Sequence, residues 1–142
     1  MVVSGGLLAG CGNHISESKL PSVVVNAVKS SYTSDNKIEW EKVNDGYEAE
    51  LVHSGKEITV LVNNAGKVVM KKEEIKAEEL PAAVTAAIIA NYASLKIDEV
   101  EKLEKDGTVY YQVELDGKGT AKDVDIVLTA DGKTATGISF WK

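Results

Sequence analysis

Arginine is missing from this chain of 142 residues; all sixteen basic side chains are lysine. Its planar fork of donors is the usual means of gripping phosphates and guanine edges at two points. That absence, combined with a formal net charge of −6, argues against a nucleic-acid partner. Cysteine occurs once, at Cys11, so no intramolecular disulfide can form. No apolar run is long enough to cross a bilayer as a helix. Aromatic residues make up only 6% of the chain, and binding surfaces usually concentrate them. The serine elbow Gly-Xaa-Ser-Xaa-Gly is absent, as is a glycine-rich phosphate loop, so neither a hydrolase nor a nucleotide enzyme is indicated. What remains is ordinary globular composition, 44% hydrophobic and 27% charged. The length suits one compact core, or two small repeats sharing a core.

The chain says nearly the same thing twice. Leu20-Pro21 recurs as Leu80-Pro81, Tyr32 as Tyr92, and Glu39-Trp40-Glu41-Lys42-Val43 as Glu99-Val100-Glu101-Lys102-Leu103, always sixty residues apart. The charge is duplicated too: residues 20–79 carry 8 Lys against 11 Asp and Glu, and residues 80–142 carry 7 against 10. Each half therefore nets −3, with no basic arm or acidic tail.

Within a repeat, the period changes along the chain. Leu20, Val24, Ala27, Val28 and Tyr32 fall on one helical face, matched by Leu80, Val84, Ala87, Ile88 and Tyr92. Pro21 and Pro81 suit a helix start, where a missing N–H costs nothing. The run Val23-Val24-Val25 alone favours a strand, but its alanine-rich counterpart decides for helix. Then apolar and polar residues alternate: Ile38 and Trp40, Tyr47-Ala49-Leu51, Ile58-Val60-Val62, and Val68 with Met70. The second repeat answers with Val100, Tyr111-Val113-Leu115, Val124-Ile126-Leu128 and a last strand near Ala135 to Trp141. Asn44-Asp45-Gly46, Ser54-Gly55, Asn64-Ala65-Gly66, Asp106-Gly107, Asp116-Gly117 and Asp131-Gly132 punctuate them as tight turns.

The expected fold is α+β: two tandem repeats, each one helix followed by a four-stranded antiparallel sheet, with both helices on one face of a shared eight-stranded sheet. Residues 1–19 are expected to be a leader and tether, residues 20–79 the first repeat and residues 80–142 the second. Lys71 to Glu79, rich in Lys and Glu, is expected to link the repeats.

Leu8-Ala9-Gly10-Cys11 resembles the lipobox of bacterial lipoproteins. That resemblance implies a lipid on the Cys11 thiol, cleavage just before it, and a periplasmic or outer-membrane location. A disordered N-terminal tail with a free thiol is the other reading of the same residues. Residues 12–19 would be the tether, with little to bury and with His14 solvated. The two-fold pattern of Leu-Pro, helix, Tyr, Glu-Xaa-Glu-Lys and glycine-closed hairpins over residues 20–141 resembles the PepSY-like, β-lactamase-inhibitor-like family of Bacteroidetes envelope proteins. The resemblance implies a secreted or lipid-anchored module whose open sheet face grips another protein.

Other constellations read as structure. Asp116-Gly117-Lys118-Gly119 with Asp123-Val124-Asp125 lacks the ligand spacing of a calcium loop, and suits a hairpin and strand edge. His53 stands without the cysteines or further histidines that a zinc site needs, and is expected at a strand end beside Ser54-Gly55. No catalytic residue, metal or cofactor is indicated. Of the adjacent pair Tyr110 and Tyr111, Tyr111 aligns with Tyr47 and should face inward, leaving Tyr110 outside. One of Phe140 and Trp141 must likewise face out, so Tyr110 and Trp141 are the candidate protein-binding residues. The expected function is a non-catalytic envelope lipoprotein, anchored only through Cys11, that binds, and inhibits or modulates, an envelope enzyme or peptide through the open sheet face. The alternative is a carrier holding a small apolar ligand between helices and sheet, under Ala82, Ala83, Ala86, Ala87 and Ala90.

Overall fold

The computed structural model describes residues 13–142 and is of α+β class. Helices α1 (Ser22–Lys29) and α2 (Ala82–Tyr92) accompany strands β1 (Glu39–Val43), β2 (Gly46–His53), β3 (Lys56–Asn63), β4 (Val68–Glu74), β5 (Lys96–Lys105), β6 (Thr108–Asp116) and β7 (Val124–Thr129). The strands form one antiparallel sheet in chain order. The repeats join where β4 pairs with β5, Met70 opposite Lys105 and Glu74 opposite Glu101, so the sheet is continuous. Lys71 to Glu74, expected in the linker, therefore complete β4. The connection is shorter, running through a 3-10 turn at Ala77–Glu79.

Strand register carries one face across the whole sheet. Trp40 stands beside Ala49, Ala49 beside Val60, Val60 beside Lys71, and Lys71 beside Glu104. Both helices cover this face. Val24 and Val28 of α1 pack with Trp40, Ala49, Val60 and Val62, whereas Val84 and Ile88 of α2 pack with Val100, Val113, Leu115 and Leu128. The chain therefore builds two apolar clusters instead of one shared core. Between them lies a polar seam on the same face, where Lys71 pairs with Glu104 at 3.7 Å and holds its ammonium 5.7 Å from the Tyr32 ring. Neither helix has a side-chain N-cap; Pro21 and Pro81 occupy that position in both.

The duplication extends to how each helix is docked. A Cβ on Gly66 would lie 2.7 Å from the Val23 carbonyl oxygen, and one on Gly132 would lie 2.4 Å from that of Ala83. Both glycines have positive φ, +82° and +83°. The last hairpin turn of each repeat thus presses its backbone onto the first turn of its helix, an approach that only glycine permits.

Two further expectations are corrected. The eighth strand does not form: after β7 a turn closes with Thr129 N–H donating to Lys133 O, and Thr134 makes a single bridge to Leu128. Ala135 N–H still donates to Val127 O, but Gly137, at φ +74°, then turns the chain off the edge. Trp141 and Lys142 then lie on the face opposite the helices. Residues 13–15, expected in a free tether, lie along β1 instead. Lys42 N–H donates to Asn13 O and Ile15 N–H to Trp40 O, both at 3.0 Å, and Ile15 packs against the first apolar cluster. Cys11 and the rest of the leader lie outside the described residues.

Candidate protein-binding face

The face opposite the helices is built from the alternate residues of the same strands. On β2, β4, β5 and β6 these include Glu48 and Glu50, Lys72 and Glu74, Glu99 and Glu101, and Tyr110, Gln112 and Glu114. It is predominantly acidic. An open groove of about 380 Å³ is lined by Glu39, Glu50, Glu57, Glu74, Glu99 and Glu101, with Lys72 as its cation. Partial burial raises the Glu50 carboxyl above its ordinary value, and neighbouring Glu41 raises it further. Glu99, Glu74 and Glu114 are raised in the same way, by burial first and then by Glu101, Glu57 and Asp125 respectively. Like charges held this close on a half-dry surface favour a proton or an arriving cation.

Beside the groove, the face is not bare. Leu103 and Gln112 are 0% and 1% exposed, and Val127 is also buried, although all three stand on the helix-free side. The segment 138–142 accounts for this. Trp141 N–H donates to Gln112 Oε1 at 3.0 Å, and Gln112 Nε2 donates to Trp141 O at 2.8 Å and to Glu101 Oε1 at 2.6 Å. Lys72 Nζ donates to the same carbonyl at 3.0 Å and lies 5.2 Å from the indole ring. The indole N–H reaches across to Glu48 Oε1 at 2.9 Å, and Lys142 pairs with Asp125 at 3.6 Å.

Trp141 therefore stands on the open face, in contact with both repeats. Tyr110 stands two residues from Gln112 on the same side of β6, half-buried, as is its neighbour Tyr111 on the helix side. The sequence reading missed Gln112 and Lys72. A signal for them existed: Leu103 and Val127 are apolar at outward positions of strands that both flank β6, which calls for a cover.

The remaining candidates are structural. His53 ends β2 beside Ser54 and Gly55, its Nδ1 lies 2.7 Å from Thr33 O, and its ring packs edge-on against Tyr32. His14 lies 3.7 Å from Glu41 at the β1 edge. Asp123 accepts from Gly117 N–H at 3.0 Å, closing the β6–β7 loop. Among the described residues, no group of three or more His, Cys, Asp or Glu side chains is arranged to hold a metal ion.

The fold is shared with known proteins. The chain is similar to a DUF2874 family protein from Bacteroides uniformis, at 22% identity and TM-score 0.75, covering 82% of this chain and 86% of that one. A protein from Bacteroides eggerthii, described as a "putative periplasmic" protein, matches at 22% identity and TM-score 0.76, with the same coverage of 82% and 86%. A BLIP-like protein from Bacteroides fragilis matches at 22% identity and TM-score 0.69, covering 86% of this chain and 92% of that one. No curated protein matches. The family model described as "Putative beta-lactamase-inhibitor-like, PepSY-like" matches twice, over residues 10–70 and again over residues 64–135. Each match takes in one helix and the hairpins that follow it, and the chain accordingly belongs to the PepSY-like family.

Proposed function

We propose that this protein is a non-catalytic cell-envelope lipoprotein, anchored through Cys11, that binds, and inhibits or modulates, another envelope protein through the open face of its sheet, with Tyr110 and the surface that Trp141 occupies in the contact. The observation that carries this reading is the burial of Leu103, Gln112 and Val127 beneath the chain's own 138–142 segment, on a face that no helix covers. A sheet surface that dehydrates a polypeptide segment and satisfies its backbone has the properties of a protein-binding site. Family membership and the BLIP-like relative support the same reading, and the periplasmic description of another relative supports the location. The carrier alternative has less behind it. Val84 and Ile88 are buried in a packed cluster, and the Gly132 backbone meets Ala83 where a ligand would need room.

Immobilised residues 13–142 should enrich one envelope enzyme or peptide from an extract of the producing organism. Tyr110→Ala should lose it, and the purified pair should form a one-to-one complex. An empty capture, repeated with crosslinking, would overturn the binding role. For the anchor, Cys11→Ser expressed from the native locus should move the protein out of the membrane fraction; continued membrane association means that Cys11 is not lipidated.

A further inference from the structure

We propose that the groove between Gln112, Lys72 and Glu48 is a recognition site for an extended segment carrying a tryptophan followed by a lysine, and that residues 139–142 of this chain are its resident, displaceable occupant. The inference rests on the protein-binding reading above and specifies what the partner presents.

The argument starts from Gln112, the one buried polar side chain among the described core residues. An amide side chain has one acceptor and two donors. Gln112 uses the acceptor on Trp141 N–H and shares its donors between Trp141 O and Glu101. It therefore reads both backbone groups of a single residue, as a neighbouring strand would, without regard to that residue's side chain. Side-chain selectivity comes from the surroundings. Lys72 stacks its ammonium on the indole, Glu48 accepts the indole N–H, and Asp125 pairs with the lysine that follows. A phenylalanine in the slot would leave Glu48 without its donor, and an acidic residue after it would meet Asp125 and Glu114.

The occupant is held by side chains alone. Among the described residues, the backbone hydrogen bonds of residues 136–142 go to the side chains of Gln112 and Lys72, not to any strand. Its connection back to β7 turns at Gly137, which folds it onto the face without building it into the sheet. Departure of the segment would uncover Leu103, Gln112 and Val127 together, beside a groove lined by six carboxylates. That combination, an apolar floor with a backbone-reading amide and an acidic wall, fits a cationic, aromatic, extended partner segment. Because the resident segment is tethered, a partner competes against an effective concentration of about millimolar.

The probe is a capped peptide of residues 138–142, Ile-Ser-Phe-Trp-Lys, titrated by calorimetry into full-length protein and into Trp141→Ala, which keeps every backbone atom. Trp141→Ala should bind the peptide saturably and at least about tenfold more tightly than the wild type, whose site is competent only in the fraction with the segment released. Peptides with Trp replaced by Phe, or Lys by Glu, should each bind Trp141→Ala more weakly. Equal affinity of wild type and Trp141→Ala, or no binding to a Trp141→Ala protein that melts cooperatively, overturns the proposal. If that variant fails to melt cooperatively, Glu48→Met, which removes the acceptor of the indole N–H, takes its place: the tethered indole should be released more readily and show it by increased solvent quenching of Trp fluorescence, and unchanged quenching overturns the proposal. Dimerisation of the wild type, abolished by Trp141→Ala, would reassign the occupant to a second copy and overturn a foreign partner. The two readings fail separately. Peptide binding with an empty capture sinks the protein-binding function alone, and a captured partner with no peptide binding sinks this site alone.

Discussion

Leu115→Asp will not fold: it should show no cooperative melting transition and little native far-UV dichroism at neutral pH. Leu115 is 0% exposed on the helix face of β6, opposite Ile97 on one side and Val124 on the other, in the cluster that α2 covers. Truncating a buried leucine alone costs about 2–5 kcal/mol through lost transfer energy and the cavity left behind. The introduced carboxylate adds several kcal/mol more, because the surrounding Val84, Val100, Val113 and Leu128 offer it no partner. The total approaches the whole stability of a small domain, about 5–15 kcal/mol. Glu114→Asp is the matched control. It puts the same side chain one residue away, on the acidic face, and should melt within a few degrees of the wild type. A Leu115→Asp protein with a native melting temperature would mean that β6 is inverted, and with it the assignment of Gln112 and Tyr110 to the open face.

That inversion test depends on what alternation conveys, and alternation is where the sequence was most legible. Sixty-residue spacing paired Trp40 with Val100, and both are buried in equivalent clusters, at 2% and 3% exposure. The doublets Ser54-Gly55, Asp106-Gly107 and Asp131-Gly132 marked turns whose glycines have positive φ, and Gly66 after Asn64-Ala65 marked another. Local chemistry settles such features, so one sequence is enough. Residues 135–141 show the limit. Their polar and apolar residues alternate as well as those of β7 do, yet they form no strand. What decides is not in the segment: Gln112, more than twenty residues upstream, supplies the backbone partners that an adjacent strand would have supplied, and Gly137 allows the turn towards it. Period two specifies that a backbone is extended, not which partner it takes. The same reasoning explains Lys71 to Glu74. A Lys- and Glu-rich run looks like a linker, but it sits where two repeats abut, and there both faces of β4 carry charge.

Lys72→Met should lower stability at pH 7 by about 2–3 kcal/mol, and most of that loss should return as the pH is taken down towards 4.5. Methionine preserves the length and apolar stem of the side chain, so the substitution removes little beyond the ammonium. The Lys72 side chain is only 13% exposed; its ammonium pairs with Glu101 at 3.3 Å, donates to Trp141 O and faces the indole. It also holds down the carboxyls of Glu50 and Glu99, both already raised by burial. The sign follows from that direction. A carboxyl raised above its ordinary value of 4.5 in the folded state contributes stability that is full below 4.5 and is lost as the pH climbs through the folded value. In the wild type, Glu50, Glu74, Glu99 and Glu114 should therefore make the protein more stable just above pH 4.5 than at pH 7. Glu17, Glu79 and Asp131, which lie below their ordinary values, lose their contribution only at lower pH, so stability should turn over there. Without Lys72 the first group rises further, and the slope between pH 7 and pH 5 should steepen. Thermal melts of both proteins across that range would show converging curves; parallel curves would mean that Lys72 acts through packing and not through charge. Convergence would also identify what the acidic face lacks at neutral pH, which is positive charge, and a lysine-bearing partner segment is one way of supplying it.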